Sequence, residues 1–309
     1  MVQQDTMRPD PLTLAGFLLS ALLGGANVVA VKFSTQGLPP FYGAAVRFFV
    51  ASILLFGYMA LRRVPWPSRA EWKGTVAYGV VGFGGFYALA YWALVSLSSG
   101  VAAVLLASGP LLTLVLASLQ GTERFTARGA IGSVIAVAGI AVMVGVPSDV
   151  RVPIVAVIAV LAAAACNAEA AVVIKLWPTG RPVTTTAFAM LIGSALLIAI
   201  SVLAREAWSV PSGPVELMTL GYLIVLGSVG LFVVYLVTLK RWTASGMSYI
   251  FVLMPIVASA LGALLLNEPI SAGLVVGGLL ILGGVYIGAL SGPGLVGLGG
   301  RAKGHLGSN

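Results

Sequence analysis

The sequence predicts an all-α integral membrane protein with ten transmembrane helices, built as two inverted five-helix repeats. Three observations lead there. The chain is too apolar for water: of 309 residues, 59% are hydrophobic and 8% charged, with a mean hydropathy of +1.06. A soluble protein wets its surface with about a quarter of its residues charged. Apolar runs of about 20 residues, the length that crosses a bilayer as a helix, follow one another with short connections. Landmark residues of the first half return in the second at an offset near 145.

The ten segments are read at 12–32, 41–61, 74–95, 99–119, 127–146, 152–174, 184–203, 215–239, 246–266 and 270–290. The first follows a polar stretch carrying Asp5, Arg8 and Asp10, and is longer than a signal-peptide core. It is therefore read as a retained helix. The second follows Pro39-Pro40 and ends at Arg62-Arg63. The fifth and sixth flank a linker, Val146 to Pro153, that joins the halves. The Gly-rich stretch 291–309, with the only histidine, His305, is predicted to be a disordered tail. The organisation expected is one repeat over 12–146 and an inverted second over 152–290.

Charge placement orients these segments. With the N-terminus inside, thirteen of the seventeen Lys and Arg residues fall on the inner side, and only Lys32, Arg151 and Arg205 on the outer. Arg47 lies within a span. Positive charge favours the cytoplasmic side, so both termini are predicted to be cytoplasmic, as an even number of crossings requires. The net charge of +8 is thus read as a topology signal and a contact for anionic lipid, not as a nucleic-acid surface. Cys166 is the single cysteine, so no intrachain disulfide is possible.

The repeat is an ordered series. Ser99-Gly100, Pro110, Glu123, Gly129 and Gly139 are answered by Ser245-Gly246, Pro255, Glu268, Gly273 and Gly283. Gly82 and Gly85 map onto Gly227 and Gly230. Five spans per copy is an odd number, so the second copy starts from the opposite side. A pseudo-twofold axis in the membrane plane follows, with a central binding region between the repeats.

Several residue runs resemble the EamA type of the drug/metabolite transporter superfamily. They are Gly25-Ala26-Asn27-Val28-Val29-Ala30-Val31-Lys32, Pro39-Pro40 and Arg47, then Tyr91-Trp92-Ala93-Leu94, Ser99-Gly100, Pro110, Glu123 and Gly132. The resemblance spans about 12–290 and is weaker in the second half, where Ala189 stands in the place of Arg47. It implies ten helices in two inverted repeats and transport of metabolites, often export. Within the family, the aromatic content is most similar to exporters of aromatic or bulky apolar amino acids. The resemblance also places the chain in a bacterial inner membrane.

The candidate site residues are those that lipid penalises or that share a helical face. A charge within a span costs about 2.5–3.5 kcal/mol on insertion scales. Arg47, about two turns from the outer end of the second segment, is read as an anchor for a substrate carboxylate or a gating pivot. The alternative is an arginine that snorkels or caps carbonyls. Glu169 is the carboxylate well inside a span, and could carry a coupling proton or pair with a cation. Asn27 and Asn167 must face inward, either bonding between helices or lining the path. Phe83, Tyr87 and Tyr91 recur on one helical face. Ser228, Phe232 and Tyr235 do so at the equivalent positions of the second half. Two aromatic faces meeting across the axis would line a cavity suited to an apolar or aromatic solute; a packed core or an interfacial belt is the alternative. Pro110 and Pro255 are expected at mid-span, as gating hinges or static kinks. Glu123 and Glu268 are read as helix caps or loop ion pairs. Gly129, Gly132, Gly139, Gly273, Gly277 and Gly283 are read as a close-packing or dimer face.

No phosphate-binding loop is present in the sequence, and one His with one Cys excludes a conventional zinc site. Neither a cofactor nor enzymatic chemistry is expected; an intramembrane enzyme is the remote alternative. The expected partners are a small-molecule substrate and membrane lipid, with the protein a monomer or homodimer. The expectation is a secondary transporter, an exporter by resemblance, working by alternating access. The alternative is a flippase or efflux protein for lipids or lipophilic compounds.

Overall fold

The computed structural model describes residues 9–34, 38–94, 102, 105–144, 153–209, 213–266 and 272–290. The 291–309 tail, Ser99-Gly100, Glu268 and nearly all of the linker between the halves lie outside them. Every regular element described is helical. They are α1 (Pro11–Ser34), α2 (Pro40–Leu61), α3 (Arg69–Tyr78), π1 (Gly79–Gly85), α4 (Phe86–Leu94), α5 (Gly109–Leu119) and α6 (Ala127–Val144) in the first half. The second half holds α7 (Ile154–Leu176), α8 (Pro182–Leu203), α9 (Pro214–Ile224), π2 (Val225–Gly230), α10 (Leu231–Arg241), α11 (Ala244–Ser248), α12 (Ile250–Leu266), α13 (Ala272–Val285) and π3 (Tyr286–Leu290). Among the described residues, seven helices are long and apolar enough to cross a membrane. Three shorter apolar ones span Gly109–Leu119, Ala127–Met143 and Val275–Leu290.

The halves repeat local structure as well as sequence. α2 and α8 both open on a proline, whose missing N–H costs nothing in a first turn. Both are followed closely by an arginine at positive φ, Arg63 and Arg205. α3 and α9 both begin under a glutamate that accepts the backbone N–H three residues earlier: Glu71 from Ser68 at 2.7 Å, Glu216 from Gly213 at 3.2 Å. Each then widens into a π-helical segment, π1 and π2, where the register slips and backbone N–H groups bond five residues back. These Gly-rich insertions stand at the 145-residue offset.

Packing follows the same exchange. α2 lies along α8, and α6 along α13. α1 packs on α12 and α10, while α7 packs on α5 and α4. Lipid is as apolar as leucine, so such helices hold together by close fit rather than by hydrophobic burial. α6 and α13 touch through backbone. A methyl group added at Gly132 would lie 2.6 Å from the Gly284 carbonyl oxygen, and one at Gly139 2.8 Å from that of Gly277. Gly283 departs from the sequence reading: a Cβ there meets nothing within 4 Å. Its neighbour Gly284 and Gly288 take the contact, because a helical face advances by about 100° per residue.

One further expectation is corrected, and one is met at a different helix. Pro110 is not at mid-helix. Residues 107–108 form a turn and Pro110 sits in the first turn of α5, where a missing N–H costs no intrahelical bond. Pro255 does lie inside α12. Glu123 caps no helix of its own half; Thr126 receives the Gly129 N–H at the start of α6. Glu123 instead reaches across to the second half, where it accepts the N–H groups of Ala244 and Ser245 and the Ser245 hydroxyl at the start of α11. A carboxylate there offsets the positive end of the helix. Tyr249, between α11 and α12, adds a second tie to α6. Its hydroxyl donates to the Gly129 carbonyl at 3.0 Å and stands 3.0 Å from Ser133 Oγ.

Candidate functional site

The site is built where α2 meets π1, α4 and α10. Arg47 is only 2% exposed. None of its three guanidinium nitrogens has a hydrogen-bond partner among the described residues. Its guanidinium carbon lies 4.5 Å from the Phe48 ring centre and 5.5 Å from that of Tyr87. The charge therefore rests on the negative faces of aromatic rings and not on a carboxylate.

The cluster to which those rings belong draws on both halves. Phe48 packs edge-on against Phe83 at 5.1 Å and Tyr87 at 4.7 Å, and Phe232 lies 4.7 Å from Phe83. The π1 segment makes the approach possible. It places Phe83 against Gly193 of α8, where any larger residue would collide with the Phe83 Cβ. Tyr91 continues the face, 6.0 Å from Tyr87. Arg47, Tyr91, Gly43, Leu220 and Leu223 line a small cleft under Pro39-Pro40. Its free volume is about 10 Å³, room for one water, so the site is closed tightly around the charge in this conformation.

Two polar atoms where α1 meets π2 are buried without partners. Asn27 donates from Nδ2 to the Gly227 carbonyl in π2 at 3.4 Å, while its Oδ1 accepts nothing. Ser228 Oγ, one residue on, is also unpartnered.

The structure thus brings together Arg47, Phe83, Tyr87, Tyr91 and Phe232, and pairs Asn27 with the segment carrying Ser228. Tyr235 is buried in the same core cluster as Phe48 and Phe83. Others are left apart. Asn167 is half-buried on α7. Glu169 accepts a hydrogen bond from Gln120 Nε2 at 2.6 Å, at the end of the bundle where α5 finishes. Arg47 belongs to the end where α2 and α9 begin. Ala189, at the place equivalent to Arg47, is fully buried where α8 meets π1; its Cα and carbonyl lie 3.0 Å from a Cβ built on Gly79. An arginine has no room there, which accounts for the asymmetry.

Phe48 and Tyr222 are the residues that sequence reasoning missed. Phe48 adjoins Arg47, and neighbours on a helix ordinarily face apart, so periodicity gave it no place in the site. Tyr222 showed no partner at helical spacing; its hydroxyl donates to the Leu23 carbonyl at 3.3 Å, bridging α9 to α1. Beside it an almost wholly apolar groove of about 340 Å³ runs between α1 and α9, lined by Ala26, Val29, Ala30, Met218, Tyr222 and Leu261.

The end at which α2 begins is tied by Glu206. It accepts the Phe41 and Tyr42 N–H groups at 3.1 and 2.8 Å and the Ser201 hydroxyl at 2.7 Å. Tyr42 stacks on Trp208 at 5.2 Å above it. The opposite end is tied by Glu123 and by Lys240, which donates to the Thr179 and Gly180 carbonyls.

A multi-pass helical membrane protein, with halves that repeat in sequence and local structure and a buried cation between them, is the architecture of a solute carrier. The chain belongs to the EamA-like transporter family, whose profile matches twice, at residues 12–145 and 154–289. An uncharacterized transporter of Archaeoglobus fulgidus is 29% identical over 275 residues, covering 87% of this chain and 95% of the relative. A WAT1-related chloroplastic protein of Arabidopsis thaliana is 27% identical, covering 85% of this chain and 66% of its own. The uncharacterized transporter YyaM of Bacillus subtilis is 24% identical over 89% of this chain and 91% of the relative. A solved crystal structure shares the fold, with a TM-score of 0.75 over 89% of this chain and 95% of that one, at 21% identity.

Proposed function

We propose that this transporter carries small organic metabolites by alternating access, with aromatic and apolar amino acids and chemically related metabolites as its solutes. Export is the direction the reading favours. One observation carries it: a buried, unpartnered arginine lies against Phe48 and Tyr87, in a ring cluster that Phe232 of the second half completes. Rings suit an apolar body, and the guanidinium suits a carboxylate head. In this reading the chain crosses a bacterial inner membrane ten times, with both termini cytoplasmic and the halves inverted. The pairing pattern of the helices, unchanged when the halves are exchanged, supports that arrangement. Movement would break the Glu206 tie on the outer side and the Glu123 tie on the inner side in turn, with Pro110 and Pro255 near the bending points.

The test is uptake into proteoliposomes holding the purified protein. Flux of a labelled aromatic amino acid or its carboxylate relative is expected to saturate and to be competed by analogues. Linear, uncompeted flux would overturn the carrier reading in favour of a channel. The groove between α1 and α9 favours a second reading, a flippase or efflux protein for lipophilic molecules entering sideways from lipid. Transfer of a labelled lipid between leaflets, with no metabolite uptake, would establish that reading instead.

A further inference from the structure

We propose that the solute bound at Arg47 is a net monoanion: a carboxylate on an aromatic or aliphatic body, without a compensating ammonium. This rests on the transporter reading above and, among the solutes named there, selects the carboxylate relatives over the zwitterionic amino acids.

The argument is a charge count. Arginine does not lose its proton in proteins, so Arg47 places one full positive charge in the span. Among the described residues each carboxylate is already engaged elsewhere. Asp10 accepts the Thr13 N–H, Glu71 that of Ser68 and Glu216 that of Gly213. Glu169 takes the Gln120 amide and Glu123 the start of α11. The one that reaches α2, Glu206, has both oxygens on Phe41, Tyr42 and Ser201. Asp5, Asp149 and Glu268 lie outside the described residues.

A monoanion at Arg47 gives a neutral buried pair. A zwitterionic amino acid leaves one positive charge uncancelled and a dianion leaves one negative, and a net charge held out of water is costly. The buried, unpartnered acceptors among the described residues are Asn27 Oδ1 and the hydroxyls of Ser228, Thr75, Thr185 and Thr186. All are neutral, so they can accept an N–H but cancel no charge. The guanidinium already occupies the faces of Phe48 and Tyr87, and the remaining rings, Phe83, Tyr91 and Phe232, can attract an ammonium but cancel no charge.

Three ring-matched probes test this: 3-phenylpropionate, phenylalanine and 2-phenylethylamine, carrying charges of about −1, 0 and +1 near neutral pH. Binding to the detergent-solubilised full chain is measured by titration calorimetry. The anion is expected to bind about 10-fold or more tighter than the zwitterion, which must also bury an ammonium with no charge to cancel it. The amine is expected not to bind. In proteoliposomes the anion should carry negative charge inward, detected as current, and an inside-positive potential should speed it. Arg47→Gln should weaken the anion by about 10- to 100-fold and erase the ranking; Arg47→Lys, which keeps the charge, should preserve it.

Phenylalanine binding as tightly as the anion, or electroneutral transport of the anion, overturns the inference and leaves the carrier reading standing. Failure of all three probes while sugars or nucleotides bind overturns both. If Arg47→Gln does not fold, the wild-type ranking alone decides.

Discussion

Replacing Arg47 with methionine is expected to stabilise the protein while removing its transport. The guanidinium is 2% exposed, and none of its nitrogens finds a partner among the described residues. Insertion scales put a central arginine at about 2.5–3.5 kcal/mol unfavourable. The two ring contacts return about 1–2 kcal/mol of that. Methionine keeps the unbranched stem, fills similar space and makes sulfur–aromatic contacts of about 0.3–1.5 kcal/mol with the same rings. The balance is a gain of about 1–3 kcal/mol in unfolding free energy. Denaturant unfolding in bicelles would measure it, beside saturable uptake in proteoliposomes. A loss of more than about 1 kcal/mol would refute the reasoning, since it would mean that the charge is satisfied in the resting protein. Unchanged uptake would refute the functional half.

Other perturbations read other parts of the fold. Glu123→Gln removes the carboxylate that receives Ala244 and Ser245, and should lower stability by about 1–2 kcal/mol in thermal unfolding. Gly284→Ala places a methyl 2.6 Å from the Gly132 carbonyl oxygen and should cost about 1–3 kcal/mol, whereas Gly283→Ala, with open space around it, should cost almost nothing in the same assay. Phe232→Ala removes the ring that the second half contributes beside Phe83, and should cost about 3 kcal/mol or more and weaken solute binding. At the start of α1, the Thr13 N–H holds the Asp10 carboxyl below its ordinary range. A depressed carboxyl supports the helix end above the unfolded-state value and loses that support as pH falls below about 4; the protection of the Thr13 amide, its exchange relative to an unfolded chain at the same pH, should then fall.

Much of the molecule was legible in the sequence because lipid imposes simple rules. An apolar run of a given length becomes a helix, since unpaired backbone cannot stay in hydrocarbon. The positions of α2, α7 and α8 followed from that alone. The doubling was legible because glycines and glutamates do local jobs, such as the caps by Glu71 and Glu216, that survive divergence of the sequence around them. The matched glycines of π1 and π2 were visible too, but not that they open the helix into π geometry. That change depends on the close approach of α8 and α7, for which no local pattern codes.

The sequence by itself determined that this chain lives in a membrane, that its halves are related and that one arginine sits where charge is expensive. Tertiary structure decided what surrounds that arginine. It turned Phe48 toward Phe83 and Phe232, filled the equivalent place in the other half with α8 packed on π1, and spent the carboxylates of Glu123, Glu169 and Glu206 on contacts far along the chain. The physical reason is range: burial in lipid and helix geometry act over a few residues, whereas a buried charge is defined by neighbours that the chain reaches only after folding back on itself.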